Sequence, residues 1–287
     1  MKLATKKPAQ KVKKPVKPTL SKNGAANVTP AHKTAIHTIA CQLRLDLLKR
    51  GRIVQIGLGG IGQILSRYLT LFLSSLKDHE FSVLYVDGDA FEPDNSYRMD
   101  VPDLINKAEA TCQSLEERFG RPGLHLRWMP EYVTPKNIKK IIGEGDFVVA
   151  GLDNHKSRLL LSQRLRKLKN GVLISGGNDG VEPDTSQRGT YGNVQVYVRA
   201  SGKDVTPPLE KFHPEIATPT DKNPAELDCL ELASAGAPQL GFANLAVASA
   251  MCNAVLRLVM PGKERIYDEV CFDVFEGVSA AHWLLPM

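Results

Sequence analysis

The sequence predicts an α/β fold, in which a doubly wound and mostly parallel sheet carries an appended C-terminal segment. Short β-branched runs alternate with amphipathic segments of helix length through the first 176 residues, which is the pattern of βαβ units. One run, Ile53–Ile56, leads into a glycine cluster and then into apolar residues at helical spacing. Strand, tight turn and helix therefore follow one another, as they do where a phosphate group binds a helix N-terminus.

A basic tail precedes the folded part of the chain. Residues 1–30 contain eight lysines, no acidic residue and no hydrophobic periodicity, and we expect this tail to be disordered. The chain has 37 basic and 31 acidic residues, so 29 basic residues remain outside the tail and the net charge of +6 comes from it. Nucleic acid or an acidic partner could bind such a tail, and a solubilising linker explains it equally well.

The folded domain, residues 31–287, is predicted from its periodicity. An amphipathic helix over residues 30–50 precedes the first strand, and a nucleotide-binding core occupies about residues 50–176. After the glycine turn and its helix, the core contains, in order, a strand (81–86), a helix (104–119), a strand (124–129), a short helix (137–142), a strand (146–150), a basic amphipathic helix (155–169) and a strand (172–175). The run at 146–150 is apolar throughout, so we expect a strand that is covered on both faces.

The pattern changes in residues 177–287, which we interpret as a partner-binding part of the same domain. A strand-like alternation at 193–199 is followed by an irregular, proline-rich segment, 200–227. Loops of this length are usually functional or disordered. An apolar helix over 240–260 and a strand over 270–275 follow.

Cysteine usage and hydropathy indicate a cytoplasmic protein. The five cysteines are scattered and form no C-x-x-C pair, which favours a reducing compartment and argues against a structural zinc site. No apolar run follows the N-terminal lysines, so we expect no signal peptide. Polar residues interrupt the apolar segment 240–260, which is therefore interpreted as a buried or interface helix rather than a membrane span.

The glycine cluster carries the first functional signal. Gly57, Gly59 and Gly62 form G-x-G-x-x-G, with Gly60 among them. Glycine permits the tight turn and a close approach of the backbone to phosphate oxygens. Alone, the motif is equally compatible with a strand–helix turn that binds nothing. Asp87, 25 residues after Gly62 at the end of the second strand, is placed to hydrogen-bond a ribose hydroxyl and favours a nucleotide.

A denser polar cluster continues from this strand. Asp89, Asn95 and Arg98 lie in the next loop, Lys107 begins the following helix, and Asp153 follows a later strand. Cationic side chains neutralise a triphosphate while its leaving group departs, and a carboxylate such as Asp153 can coordinate Mg²⁺. The competing interpretations are loop caps for the acids, a helix cap for Asp153, and solvated surface cations for Arg98 and Lys107.

Together these residues resemble the signature of the ThiF/MoeB superfamily of ubiquitin-activating-type adenylating enzymes. That signature is a G-x-G-G-x-G turn, a D-x-D, an asparagine six residues on, an arginine three further, a lysine at a helix start, and an Asp-Asn pair after a later strand. The matching residues are Gly57, Gly59, Gly60, Gly62, Asp87, Asp89, Asn95, Arg98, Lys107, Asp153 and Asn154, with Arg158 four residues further. The resemblance covers about residues 50–260 and includes similarity to the bacterial branch found in plasmid PRTRC gene clusters.

The resemblance implies a Rossmann-like fold of the ThiF/MoeB type and an ATP-dependent adenylation reaction. Such enzymes use ATP and Mg²⁺ to activate the C-terminal carboxylate of a small ubiquitin-like or sulfur-carrier protein, forming an acyl-adenylate and releasing pyrophosphate. By position, Gly60 would approach the phosphates and Asp87 the ribose. Asn95, Arg98 and Lys107 would neutralise the triphosphate, and Asp153 would hold Mg²⁺. The superfamily usually works as a dimer, so we expect a homodimer to which the apolar helix over 240–260 contributes.

The sequence departs from the family pattern at three points. An arginine signature that many members carry before the first strand is absent, Met99 stands where a glutamine follows Arg98, and Cys229 replaces paired C-x-x-C motifs. Asp228 and Glu231 would raise the pKa of the Cys229 thiol, so we expect adenylation without Cys229 and no stable thioester there. Two alternatives stay open: a nicotinamide-dependent oxidoreductase, from the glycine motif and one acid alone, and a nucleotide-binding scaffold without turnover.

Overall fold

The computed structural model describes residues 43, 45–91, 105–182, 187–227, 239–260 and 266–283. Its strands are β1 (Ile53–Ile56), β2 (Phe81–Val86), β3 (Leu124–Met129), β4 (Phe147–Ala150), β5 (Gly171–Asn178), β6 (Val181–Glu182), β7 (Gln187–Arg188), β8 (Tyr191–Ala200), β9 (Lys203–Asp204), β10 (Glu269–Asp273) and β11 (Val278–His282). Its helices are α1 (Asp46–Lys49), α2 (Gly60–Ser75), α3 (Lys107–Phe119), α4 (Ile138–Ile141), α5 (His155–Arg166), α6 (Pro214–Ala217) and α7 (Gly241–Val259). Nine strands form one mixed sheet and β6 pairs with β7 separately, so the predicted α/β class is confirmed.

The parallel part of the sheet sets the position of the ligand crevice. Five parallel strands lie in the order β3-β2-β1-β4-β5. Ile53 of β1 lies opposite Val83 of β2 on one side and opposite Phe147 of β4 on the other. The direction of winding reverses at β1, and open α/β sheets bind ligands outside the carboxyl ends of the strands at such a switch point. The glycine turn, which follows β1, lies there.

Burial along the strands follows their place in the sheet. Every residue of β1 and β4 is buried, as the continuous apolar run at 146–150 predicted. At the edge of the sheet, β3 exposes His125, Arg127 and Trp128. Central parallel strands are covered by helices on both faces, whereas an edge strand keeps polar side chains in solvent.

The C-terminal part extends the sheet with antiparallel strands. β8 pairs with β5, β10 with β8, and β11 with β10. The predicted strand at 270–275 is found as β10, whereas β11 was not predicted because its five residues are all exposed and carry no hydrophobic alternation. The proline-rich segment 200–227 contains only short elements, namely β9, α6 and two 3₁₀ turns (Leu209–Lys211 and Pro224–Glu226). Most of the helix predicted over 30–50 lies outside the described residues.

Two neighbouring glycines in β5 show the layering of the helices. The Cβ position of Gly176 faces Met251 of α7, and that of Gly177 faces Arg158 of α5. Since successive strand residues point to opposite faces, α7 covers one face of the sheet and α5 the other. By length and hydropathy α7 could span a membrane, yet half of the apolar stretch is buried in the fold, as in a core helix.

Candidate functional site

The glycine turn between β1 and α2 depends on two positions without a side chain. Gly57 has a φ of +83°, and a Cβ there would lie 2.5 Å from the carbonyl oxygen of Gly151, which follows β4. A Cβ on Gly62 would overlap the carbonyl oxygen of Gly57. Any larger residue at either position would push the turn away from the sheet. These two glycines therefore build the turn.

The two glycines at the start of α2 have different surroundings. No atom of the described residues lies within 4 Å of the Cβ position of Gly59, so that part of the chain leaves the backbone there open to a ligand. The Cβ position of Gly60 is instead filled by the side-chain amide of Asn244, from the first turn of α7. Gly60 as the phosphate contact stays a prediction, and the open surface lies at Gly59.

Asp87 lies beneath the turn and holds it. Its Oδ2 accepts a hydrogen bond from the backbone N–H of Leu58 at 2.6 Å, and its Oδ1 accepts one from the N–H of Asp89 at 2.8 Å. The residue is only 8% exposed. Burial, with the charge of Asp89 adding to it, raises the pKa of Asp87 to about 6, although Lys107 acts in the opposite direction. The acid thus joins the end of β2 to the glycine turn.

Asp89 and Lys107 meet at the edge of the crevice. Lys107 Nζ donates to Asp89 Oδ2 at 3.0 Å, and the Tyr132 hydroxyl donates to Asp89 Oδ1. The Lys107 side chain is 11% exposed and that of Asp89 is 39% exposed. The aliphatic part of the Lys107 side chain is buried and its ammonium group is paired with Asp89, so the ammonium group is held in one position. A cation that neutralises a phosphate in a transition state requires such a fixed position.

Asn106 positions Lys107, although Asn106 is not part of the ThiF/MoeB signature. Its Oδ1 accepts from the N–H groups of Ala108 and Glu109, at 2.9 and 3.2 Å, and so caps α3. Its Nδ2 donates to the carbonyl oxygens of Asp87 and Asp89, at 3.0 and 2.9 Å. One side chain therefore joins the helix to the D-x-D loop. An asparagine before a helix was the only sequence signal for this role.

Asp153 follows β4 and is exposed. The alternative that Asp153 caps the next helix is wrong, because Asn154 is the cap: its Oδ1 accepts from the N–H of Ser157 at 2.8 Å. Asp153 makes no hydrogen bond with any described residue and is free to bind a ligand. Within the described ranges no group of three or more His, Cys, Asp or Glu side chains is arranged so that it could hold a metal ion by itself. A single carboxylate suits Mg²⁺ that takes its other oxygens from phosphates and water.

Arg158 is a buried structural cation. Its Nε and Nη2 donate to the carbonyl oxygen of Leu152 at 2.9 and 2.7 Å, and the residue is 7% exposed. Burial lowers the pKa of its guanidinium, and the nearby carboxylates of Asp153 and Asp221 oppose that shift. Arg158 therefore holds the loop that carries Asp153.

The segment 200–227 folds back onto the start of α5. Asp221 accepts from the backbone N–H groups of His155 and Lys156, at 2.5 and 3.0 Å. Asn223 Nδ2 donates to the carbonyl oxygen of Val133 at 2.8 Å and to the Ser157 hydroxyl at 3.0 Å. Periodicity gave no indication of these anchors, since they are single polar residues in an irregular segment.

His213, to which the sequence assigned no role, lies between two carboxylates. Its Nε2 is 2.6 Å from Glu269 Oε1 on β10, and its Nδ1 is 2.7 Å from Glu215 Oε1 on α6. The hydrogen bond to Glu269 is the largest effect that raises the pKa of His213. Because carboxylates only accept, the imidazolium, with two N–H donors, satisfies both partners. His213 therefore fastens α6 to the antiparallel part of the sheet.

Three sequence candidates lie outside the described residues. Asn95 and Arg98 fall in 92–104, and Cys229 falls in 228–238. Their roles stay predictions. The described candidates all follow the carboxyl ends of β1, β2 and β4 or begin α2 and α3: Gly57, Gly59, Gly60, Gly62, Asp87, Asp89, Lys107 and Asp153.

Known structures with the same fold are similar to this chain at low identity. E. coli MccB in complex with MccA has 16% identity and a TM-score of 0.57, over 83% of this chain and 65% of that one. MccB with MccA-N7isoASN has 15% identity and a TM-score of 0.61, over 91% of this chain and 74% of that one. PaaA has 13% identity and a TM-score of 0.59, over 94% and 79%. The chain thus spans less than two thirds of the first MccB chain.

A comparison with curated proteins finds no significant match. A family model does match: that of the ThiF family, over residues 32–272. This stretch includes the glycine turn, the D-x-D loop, Lys107 and Asp153, which the structure brings to one edge of the sheet. The chain therefore belongs to the ThiF family, and the resemblance seen in its signature residues is confirmed.

Proposed function

We propose that this protein uses ATP to adenylate the C-terminal carboxylate of a small ubiquitin-like or sulfur-carrier protein. A carboxylate oxygen attacks the α-phosphorus, the acyl-adenylate forms, and pyrophosphate leaves. The observation that carries this proposal is the fixed Lys107–Asp89 pair beside the open Gly59 backbone, at the switch point of the sheet. Positioning and charge neutralisation supply most of the catalysis in such phosphorus chemistry.

The candidate residues that contact ATP or Mg²⁺ have the following roles in this scheme. The N–H groups at the start of α2 receive phosphate oxygens through the opening at Gly59. Lys107 and Arg98 neutralise the triphosphate as the bond to pyrophosphate breaks, and the carboxamide of Asn95 donates hydrogen bonds to its oxygens. Asp153 binds Mg²⁺, which supplies Lewis-acid stabilisation of the phosphate oxygens when bound. In the cytoplasm, where we place this reaction, Mg·ATP is the available form of the nucleotide.

The relatives support the coarser part of the proposal. The MccB structures include complexes with ATP, with AMPCPP and with MccA, so that fold accommodates a nucleotide and a peptide. The ubiquitin-like nature of the substrate rests on the ThiF signature rather than on those structures. We also propose a homodimer, on the basis of the apolar surface of α7 described below.

The site favours this proposal over an oxidoreductase. A nicotinamide cofactor presents a pyrophosphate, which the N–H groups at a helix N-terminus bind, whereas a triphosphate carries additional charge for a fixed ammonium group to neutralise. Here the more exposed acid, Asp89, holds the Lys107 ammonium group beside the glycine turn. The γ- or β-phosphate of ATP could compete with Asp89 for the ammonium group of Lys107.

Calorimetry and isotope exchange test the proposal. We expect Mg·ATP to bind and NAD(H) or NADP(H) not to bind. Exchange of labelled pyrophosphate into ATP should require a small β-grasp protein ending in glycine, of the kind a neighbouring gene would encode. Binding of NAD(P)(H) without ATP binding would contradict adenylation. ATP binding without exchange, with every such carrier protein, would favour the scaffold without turnover.

Cys229 is not needed for this reaction. The acyl-adenylate forms without a protein nucleophile, and acidic neighbours in the sequence disfavour the thiolate. We therefore expect Cys229→Ala to exchange pyrophosphate at close to the wild-type rate. A thiol-sensitive adduct with the carrier protein, lost in Cys229→Ala, would contradict the expectation that no stable thioester forms.

A further inference from the structure

Asn244 is a buried polar residue whose hydrogen bonds are not made within the fold. It is 1% exposed and its side-chain amide lies against Gly60. In the part of the chain that the structure describes, neither Oδ1 nor Nδ2 has a hydrogen-bond partner. A buried carboxamide without partners is costly and rare. Its place beside the phosphate-binding turn indicates that a ligand supplies them.

Asn178, the last residue of β5, has the same property. Both of its side-chain polar atoms are buried and unpaired among the described residues. Residue 178 shares a strand face with Gly176, whose Cβ position lies 2.7 Å from Val247 of α7. Val247 is one turn of α7 from Asn244. The two asparagines therefore lie on one face of the sheet, at its carboxyl edge.

We infer that Asn244, together with Asn178, binds the last peptide unit of the acyl substrate, next to the carboxylate that receives the adenylate. Each carboxamide offers an acceptor oxygen and an NH₂ donor. Phosphate oxygens only accept, so the phosphate chain of ATP would leave both Oδ1 atoms unpaired. A peptide unit offers one N–H and one C=O, which match a carboxamide.

This inference rests on the proposed function and adds a basis for substrate choice. A site with buried, unpaired amide groups rejects an analogue that cannot pair with them, because the desolvation cost is then not recovered. The two asparagines would thus select a peptide or protein C-terminus over a carboxylic acid that lacks a peptide unit.

Two acyl-adenylate analogues test this directly. Both are non-hydrolysable sulfamoyl adenosines; one carries N-acetylglycylglycine as its acyl group and the other an unbranched alkanoyl chain of equal length. We expect wild-type protein to bind the peptidyl analogue about tenfold more tightly by calorimetry, as one or two well-made hydrogen bonds provide. Asn244→Leu and Asn178→Ala should each remove most of that preference while Mg·ATP affinity stays within about twofold. Asn244→Ala replaces the leucine variant if that variant does not fold.

Gln113→Ala is the matched control, since Gln113 is a carboxamide on the exposed side of α3, and it should keep the wild-type preference. Equal binding of the two analogues by wild-type protein would overturn this inference and leave adenylation standing. A loss of Mg·ATP affinity in Asn244→Leu would assign Asn244 to the phosphates and also overturn it. If wild-type protein binds neither ATP nor either analogue, the proposed function fails and this inference with it.

Discussion

At the scale of single residues, two acids separated by one glycine have different tasks. Asp87 is buried and accepts hydrogen bonds from two backbone N–H groups, so it shapes the turn. Asp89 keeps a partly exposed carboxylate that holds Lys107 and accepts from Tyr132. The sequence predicted that both belong to the site, but it could not separate their roles, because burial depends on how β2 meets the turn.

Removing either phosphate-neutralising cation should slow the reaction without unfolding the protein. We expect Lys107→Ala and Arg98→Ala each to lower pyrophosphate exchange by about 10²–10³-fold, the usual effect of losing one preorganised charge contact at a transition state. Lys139→Ala, which removes an exposed lysine of α4, is the control. Exchange at the wild-type rate in both site variants would exclude these residues from the site.

Asp153 should determine the magnesium dependence. Asp153→Asn keeps the shape of the side chain and removes the charge that a hard cation prefers. We expect slower exchange that is partly recovered at raised Mg²⁺ concentration. The measurement is exchange rate against Mg²⁺ concentration, and a half-saturation value equal to that of the wild type would exclude Asp153 as the ligand.

At the scale of elements, the parallel core was predictable and the antiparallel extension much less so. The alternation of strands and helices up to β5 is strong in the sequence because buried parallel strands are apolar throughout. β11 is exposed throughout and has no hydrophobic alternation. Segment 200–227 is anchored by single polar contacts, such as Asp221 with the start of α5, and such contacts produce no periodic pattern in the sequence. In the site, the motif supplied Lys107 and Asp153, whereas Asn106, Asn244 and His213 emerge only when distant elements are packed together.

We expect His213 to make the docking of α6 depend on pH. Its pKa is raised above the usual 6.5, so the native state holds its proton more tightly than the unfolded chain. The stabilisation of the native state by protonated His213 is complete below about pH 6.5, and it is lost as the pH rises through the pKa of His213 in the native state. We expect the difference in unfolding free energy between wild type and His213→Gln to shrink over that window, as measured by urea unfolding at several pH values.

The control for this experiment is His125→Gln, because His125 is exposed on β3. That variant should unfold like the wild type at every pH. A difference between wild type and His213→Gln that stays constant from pH 6 to pH 9 would mean that the imidazolium does not contribute to the docking.

At the scale of the whole molecule, the outer side of α7 exposes a row of large apolar side chains, and a contiguous apolar patch marks an interaction surface. Phe242 is 83% exposed, and Leu245, Leu256 and Met260 are exposed along the same helix. Tyr68 and Leu71 are exposed on α2, which packs against α7. The burial of one side of α7 by the sheet and the exposure of the other are what an interface helix requires.

This surface predicts a homodimer that charge would disrupt. We expect light scattering at micromolar concentration to give the mass of a dimer for the wild type and of a monomer for the double variant Phe242→Asp, Leu245→Asp. Phe275→Ser changes another exposed aromatic residue, 67% exposed near β11, and should leave the dimer intact. A wild-type monomer under these conditions would contradict the prediction.

Gly59 and Gly60 are adjacent in the motif, but they differ in how much space a side chain would have. Alanine at position 59 meets no atom of the described residues within 4 Å, whereas alanine at position 60 would overlap Asn244. In a library that contains every single substitution, alanine at 59 should preserve protein abundance and lower activity. Alanine at 60 should lower abundance itself, and it should be tolerated better when residue 244 is shortened in the same molecule.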